Sequence, residues 1–196
     1  MPKKRVGILL AGGFSQRFGS PKAFAQFNGK KFYEISYEIL NSVCDHVVIV
    51  TRPELIEQFP NPLHTIVDMP PFQGCGPLAG IYSAMMAEEA HHYIVLPCDM
   101  PLLKRDIVEN LYKRHQKDVT VTVIEGRLQP LVSIWDKNVM EKIKVTLDKK
   151  LFKMTEVLNL VEVEYVEASE LTNSPRCFLN VNTPKEAEEA KKWVPS

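Results

Sequence analysis

Short apolar, β-branched runs alternate with amphipathic segments along this chain. Val6 to Leu10, Val47 to Thr51, Thr65 to Val67, Tyr93 to Leu96 and Val119 to Val123 are predicted strands. Between them, Lys31 to Ser42 sets Phe32, Ile35, Ile39 and Leu40 on one helical face. Gly80 to Glu89 does the same with Ile81, Met85 and Met86, and Asp106 to His115 with Ile107, Val108 and Leu111. The later chain is less regular. Arg127 to Trp135 reads as a strand and Asp136 to Leu147 as a helix. Leu160 to Val166, where apolar and acidic residues alternate, reads as a half-exposed strand toward an edge. Thr183-Pro184 with Glu186 makes a capping box with proline at the first helical position, which predicts a last helix running to about Trp193.

Strands and helices in this order predict right-handed βαβ units. The expected architecture is α/β: three layers, Rossmann-like, with a mostly parallel central sheet and helices on both faces. In open sheets of this kind, ligands sit beyond the carboxyl ends of the strands. The loops that begin at Leu10, Asp68 and Pro97 are therefore expected to face one crevice, and they are also the three most unusual stretches of the sequence.

Composition narrows the picture. The 196 residues fit one domain spanning 1–196, with 45% hydrophobic and 24% charged residues, enough to bury a core without staples. Lys plus Arg total 24 and Asp plus Glu total 24, so no global field exists to hold a nucleic acid or an anionic membrane. Cys44, Cys75, Cys98 and Cys177 lie far apart and read as free thiols in a reducing compartment. The apolar run after Lys3, Lys4 and Arg5 is too short for a signal peptide, and no stretch approaches the ~20 apolar residues of a membrane span. A soluble, cytoplasmic protein is expected.

The loop from Leu10 to Lys22 contains Ala11, the glycine pair Gly12-Gly13, Arg17 and Lys22. Paired glycines let consecutive backbone N–H groups line an anion-binding concavity, while Arg forks two phosphate oxygens and Lys acts as a point charge. The spacing is neither that of a P-loop nor that of a dinucleotide fingerprint. Read alone, it is also compatible with a glycine turn carrying solvated cations. After the third strand, Asp68 precedes Gly74-Cys75-Gly76-Pro77-Leu78-Ala79-Gly80, a rigid shelf at a helix start that can hold a planar base or a sugar, with Asp68 accepting hydrogen bonds. The bland alternative is a long turn with a carboxylate near a helix start.

After the fourth strand, prolines at 97 and 101 fix the turn around Asp99. Mg²⁺ takes one or two carboxylates plus substrate phosphates, so Asp99 is the natural metal ligand if the first loop holds a triphosphate. A lone Asp can equally form a turn or cap a helix. Gln129-Pro130-Leu131 and Asn180-Val181-Asn182 are two later polar clusters able to read a second substrate, or in the latter case only to prepare the last helix. His91-His92, without an acidic or cysteine partner at ligand spacing, reads as surface, and Lys149-Lys150 as a solvated face.

Leu10 to Lys22, read as L-A-G-G-x-S-x-R-x-G-x-x-K, resembles the signature of small nucleotidyltransferases. With Asp68, Gly76 to Ile81, Cys98 to Pro101, Gln129 to Leu131 and Asn180 to Pro184, the chain resembles the molybdenum cofactor guanylyltransferase (MobA) family over residues 10 to 184. That resemblance implies a nucleotidyltransferase fold and transfer of GMP from GTP to Mo-molybdopterin, with release of pyrophosphate. It implies Arg17, Lys22 and Asp99 as catalytic residues, with Asp99 holding Mg²⁺. Leu10, Ala11, Gly12, Gly13, Lys22, Asp68, Gly76, Pro77, Leu78 and Asp99 would contact GTP, and Gln129, Asn180 and Asn182 the pterin substrate. Transient contact with proteins that deliver molybdopterin or mature molybdoenzymes would follow. Two positions depart from the pattern: Phe18 stands where Met is usual, and Val50-Thr51 lacks the Asn that some members use near the base. A related nucleotidyltransferase using CTP or a sugar 1-phosphate, and a non-catalytic nucleotide-binding module, remain as alternatives.

Overall fold

The computed structural model describes residues 3–15 and 17–194. Its elements run β1 (Arg5–Leu10), β2 (Gln26–Phe27), β3 (Lys30–Lys31), α1 (Phe32–Val43), β4 (His46–Thr51), β5 (Thr65–Val67), α2 (Pro77–Ala87), β6 (His92–Pro97) and α3 (Arg105–Lys113). They continue with β7 (Val119–Ile124), β8 (Arg127–Asp136), α4 (Met140–Asp148), α5 (Met154–Leu158), β9 (Val163–Glu167), α6 (Ala168–Leu171) and α7 (Pro184–Lys191). Seven strands form one sheet in the order β5-β4-β1-β6-β8-β7-β9. β8 runs against both of its neighbours, and the other pairings are parallel. The sheet is thus mostly parallel, with helices on both faces, as the alternation of segments predicts.

Period-two alternation divides the core. Leu9, Ile49, Ile94 and Leu96 point to one side with Leu40 of α1 and Ile107 and Leu111 of α3. Ile8, Val48, Val50 and Val95 point to the other side with Leu78 and Ile81 of α2 and Ile143 of α4. All six residues of β6 are buried, as expected for a strand covered on both faces. Trp135 on β8 is fully buried, and its indole N–H donates to Ser133 Oγ at 2.7 Å. A third, smaller cluster joins Phe27, Phe32 and Val181 to Ala187 and Ala190 of α7, docking the end of the chain beside α1. Among the described residues no helix is long and apolar enough to cross a membrane.

Several expectations shift. The second helix starts at Pro77 rather than Gly80, because Gly76 takes the N-cap with φ +84° and Pro77 fits the first helical position. Asp136 belongs to β8, with a short 3₁₀ turn over Lys137–Val139 before α4. The edge strand is the shorter Val163–Glu167, and α7 ends at Lys191, not Trp193. The β2–β3 hairpin turns on Asn28-Gly29, both at positive φ, a turn signal that a reading of apolar periodicity passes over. On β8, Pro130, Leu131 and Val132 form a bulge, because the register steps from Gln129↔Thr122 to Ser133↔Val121.

His92 corrects a further expectation. It is buried at the start of β6, where it pairs with Asp136 of β8, so only His91 of the pair is exposed. Burial, and then the neighbouring His115, push the His92 imidazole down to about 4. Lys149 and Lys150 are exposed, as expected.

Candidate functional site

The carboxyl ends of β1, β4, β5 and β6 open into a cleft of about 890 Å³. The ladder does not stop at the strand ends: Ala11 N–H donates to Val50 O at 2.9 Å and Cys98 N–H to Leu10 O at 3.2 Å. Beyond them the first loop folds on itself. Ser15 Oγ donates to Gly13 O at 3.2 Å and accepts from Lys22 N–H at 3.1 Å, closing a ring that carries Gly12, Gly13 and Arg17 to the mouth of the cleft.

Lys22 ends this loop and points inward. Its Nζ donates to Asp99 Oδ2 and to Asn182 Oδ1, each at 2.8 Å. The pair is largely sheltered, with side-chain exposures of 11% for Lys22 and 22% for Asp99, so water screens it less than a surface ion pair. Asp99 Oδ1 is buried and has no hydrogen-bond partner among the described residues. A lone, desolvated carboxylate oxygen is costly, and a cation beside it would satisfy it.

Neighbouring elements hold this trio rigid. Ser36 of α1 is buried and donates to Pro97 O at 2.9 Å, fixing the turn that presents Asp99. Asp99 O in turn accepts from Val181 N–H at 2.8 Å, which ties the C-terminal segment to the loop after β6. The α7 capping box reaches one residue further than its usual pattern: Glu186 accepts from Asn182 N–H at 2.6 Å as well as from Thr183 N–H at 3.2 Å. Helix capping and orientation of Asn182 are therefore one device. Cys98, beside Asp99, is buried, and burial followed by the Asp99 charge pushes its thiol up to about 12. It stays protonated at neutral pH and is no nucleophile.

On the opposite wall, Asp68 Oδ2 accepts from Gly74 N–H at 3.0 Å. Burial raises the Asp68 carboxyl above its ordinary value, with the Gly74 hydrogen bond opposing. Helix α2 lies close enough to the strands that a Cβ on Gly80 would sit 3.0 Å from Leu10 Cδ2, 3.2 Å from Val50 Cγ1 and 3.5 Å from Asp68 Oδ1. Gly80 thus sets the distance between the shelf and the first loop.

Of the residues singled out from sequence, Leu10, Ala11, Gly12, Gly13, Arg17, Lys22, Asp68, Gly76, Pro77, Asp99 and Asn182 line this one cleft. Leu78 does not: its side chain is wholly buried in the α2 core. Gln129 lies in the β7–β8 ladder outside the lining, while the bulge beside it delivers Leu131 to the cleft. Asn180 is exposed, and its segment is not a strand, so the two Asn side chains do not form a strand face. Sequence reasoning missed Arg52 and Phe14. Arg52 lines the cleft below the end of β4, its guanidinium 4.6 Å from the Phe14 ring centroid and paired with Glu54 at 2.7 Å, and its Nε is buried without a partner among the described residues. An Arg before a Pro in a polar segment carries no periodic signal that would have marked it.

The open α/β sheet gathers a glycine loop, a lysine and a carboxylate in one cleft at its strand ends, and with the matches to known proteins this makes the chain an enzyme, a nucleotidyltransferase. Residues 7–163 match the model of the MobA-like NTP transferase domain. A probable molybdenum cofactor guanylyltransferase of Geobacillus sp. (strain WCH70) is 40% identical over 190 residues, covering 95% of this chain and 97% of that protein. The crystal structure of molybdopterin-guanine dinucleotide biosynthesis protein A from Archaeoglobus fulgidus superposes with a TM-score of 0.80 at 24% identity, covering 96% of this chain and 97% of that one. A Thermus thermophilus cytidylyltransferase, acting by its name on 2-C-methyl-D-erythritol 4-phosphate, gives 0.70 at 16% identity, covering 94% and 96%. The chain belongs to the MobA-like NTP transferase family. The fold alone is shared by a cytidylyltransferase, so base choice rests on the site.

Proposed function

We propose that the enzyme transfers GMP from GTP to the terminal phosphate of Mo-molybdopterin, forming the guanine dinucleotide cofactor and pyrophosphate. The observation that carries this reading is the Lys22–Asp99–Asn182 cluster, set at the foot of a glycine loop in a cleft large enough for a nucleotide. The names of the relatives supply the acceptor.

The triphosphate lies against the loop from Leu10 to Gly13, between Arg17 and Lys22. The base rests on the shelf formed by Gly74, Gly76 and Pro77 and is addressed by Asp68 and Arg52. Arg52 brings hydrogen-bond donors to the end of β4, where the family's Asn is missing. The donor set fits Mg²⁺ through the unpartnered Asp99 Oδ1. When bound, Mg²⁺ would neutralise phosphate charge.

Lys22 neutralises Asp99 in the free enzyme and turns donors toward phosphate once nucleotide enters, with Asn182 limiting how far it moves. The acceptor phosphate, arriving on the Asn182 side, attacks the α-phosphorus in line. The bond to pyrophosphate breaks as the new phosphoanhydride forms, and Arg17 and Lys22 stabilise the charge that moves onto the leaving group. No side chain is acylated or phosphorylated. We place this chemistry in the cytoplasm, with transient contacts to proteins that supply molybdopterin and receive the product.

Pyrophosphate release measured with each of the four nucleoside triphosphates, with and without Mo-molybdopterin, tests the reading. GTP-selective, acceptor-dependent release is expected. Release with CTP or with a sugar 1-phosphate acceptor would instead assign a different member of the fold, and tight binding without release a regulatory module.

A further inference from the structure

At the end of the sheet away from the nucleotide cleft, three side chains from separate elements converge on one oxygen. His92 opens β6, Asp136 closes β8 directly opposite it, and His115 follows the end of α3. Asp136 Oδ1 lies 3.2 Å from His92 Nε2 and 2.9 Å from His115 Nε2, and the three ligand-type atoms all fall within 4.8 Å of one another. Both separations approach the edge of a tetrahedron whose N and O ligands sit ~2.0–2.1 Å from a central ion. The imidazoles are sheltered, with side-chain exposures of 7% and 3%, while Asp136 at 31% stands at the mouth, where an ion could enter.

The outer ring nitrogens are already held. His92 Nδ1 is 2.9 Å from Tyr112 Oη, and His115 Nδ1 is 2.8 Å from the Oγ1 of buried Thr120. Each hydroxyl can accept an N–H, which leaves both Nε2 lone pairs free to face inward. For His92, the Lys3 ammonium, which has only protons to offer, sits 3.1 Å from Nε2 and favours the tautomer with its lone pair there. In that tautomer Nε2 presents a lone pair beside a carboxylate oxygen at 3.2 Å. Two acceptors at that distance repel unless a cation joins them, and the Lys3 ammonium is the only cation within hydrogen-bonding distance of His92 Nε2 among the described residues.

We propose that His92, His115 and Asp136 form a site for one divalent transition metal, Zn²⁺ by preference, with Lys3 as its competitor. Two imidazoles and a carboxylate suit borderline ions, whereas Mg²⁺ prefers oxygen ligands, so this site and Asp99 sort the two metals by chemistry. β6 carries His92 at its start and leads into Asp99 past its end, roughly 20 Å away at ~3.3 Å per residue. A metal here therefore clamps β6, β8 and the end of α3 and takes no part in phosphoryl chemistry.

The full-length protein, stripped with a chelator, is to be titrated with Co²⁺ and with Zn²⁺ in excess Mg²⁺, reading visible absorption, calorimetry and melting temperature. One equivalent is expected, with four-coordinate Co²⁺ bands, no thiolate charge-transfer band, and a raised melting temperature with Zn²⁺. Asp136→Asn, at a partly exposed side chain and with its fold checked by circular dichroism, should weaken binding by about 10²-fold or more. Tyr112→Phe should weaken it about tenfold, and Lys3→Met should tighten it. Absence of binding to the wild-type protein, or binding that Asp136→Asn leaves intact, or a thiolate signature, overturns the proposal.

Discussion

Lys22 Nζ and Asp99 Oδ2 meet at 2.8 Å although 77 residues of chain separate them. The pair joins the loop after β1 to the loop after β6, the two central parallel strands of the sheet, so the fold itself brings the cation to the carboxylate. The lysine is thereby placed before any substrate arrives, which is the preorganisation that the proposed charge stabilisation requires.

Lys22→Ala should lower kcat for pyrophosphate release by ~10²–10³-fold, the usual effect of removing one preorganised donor. Steady-state rates at saturating GTP check this. Asn182→Ala should cost less, on the order of tenfold, because it frees the lysine without deleting it. The loss should fall mainly on kcat, with little change in GTP affinity measured by calorimetry.

For Asp68 the direction of the pKa shift sets two signs. Its folded pKa lies above the unfolded value, so the folded state holds the proton more tightly than the unfolded one. The stability this group supports is present below the unfolded pKa and lost as pH rises through the folded pKa. Asp68→Asn should therefore melt at a higher temperature than wild type at neutral pH and show no gain at pH 3. The same variant should raise KM for GTP by about tenfold or more, since a charged acceptor is lost. In the wild type, KM should begin to rise at a higher pH than for an ordinary carboxylate as the medium is acidified.

Arg52→Ala should reduce the preference for GTP over the other triphosphates about tenfold, the worth of a hydrogen bond to a charged group. Competition experiments with ATP and CTP read that ratio directly. An unchanged preference would move base recognition wholly onto Asp68 and the glycine shelf.

Gly80→Ala should destabilise the fold by roughly 1–3 kcal/mol, the cost of overpacking a close helix–sheet contact. Its Cβ would press on Leu10 Cδ2 at 3.0 Å and Val50 Cγ1 at 3.2 Å, with Asp68 Oδ1 at ordinary contact distance. Denaturant unfolding measures the loss, and KM for GTP should rise with it as the shelf moves away from the loop.

Legibility in the sequence followed the range of the interactions. Strands such as Val47 to Thr51 and helices such as Lys31 to Ser42 showed through local periodicity, and the glycine loops through local backbone demands. Asn182 was legible as a helix-preparing residue or, by resemblance, a pterin contact, but its bond to Lys22 was not, because that lysine is 160 positions away. His92 failed for the same reason: its partners, Asp136 and His115, come from β8 and from beyond α3, and without them a histidine at the end of an apolar run reads as surface. Gln129 and Asn180 lie outside the cleft for a different cause. A bulge at Pro130 and the irregular backbone around Val181 decide where those side chains go, and neither leaves a period to read.

The hydrogen bond from Val181 to Asp99 O and the grip of Asn182 on Lys22 also order events in time. During synthesis, chains fold from the N-terminus forward. The glycine loop, the sheet centre and Asp99 are all made long before the segment that steadies them. A ribosome-bound chain halted before Val181 would carry the glycine loop and Asp99, yet its lysine would keep only the Asp99 carboxylate and lack the second tether at Asn182. The second tether on Lys22 thus comes from a segment 160 positions further along the chain, so the loop after β1 reaches its final order only once that distant segment has docked.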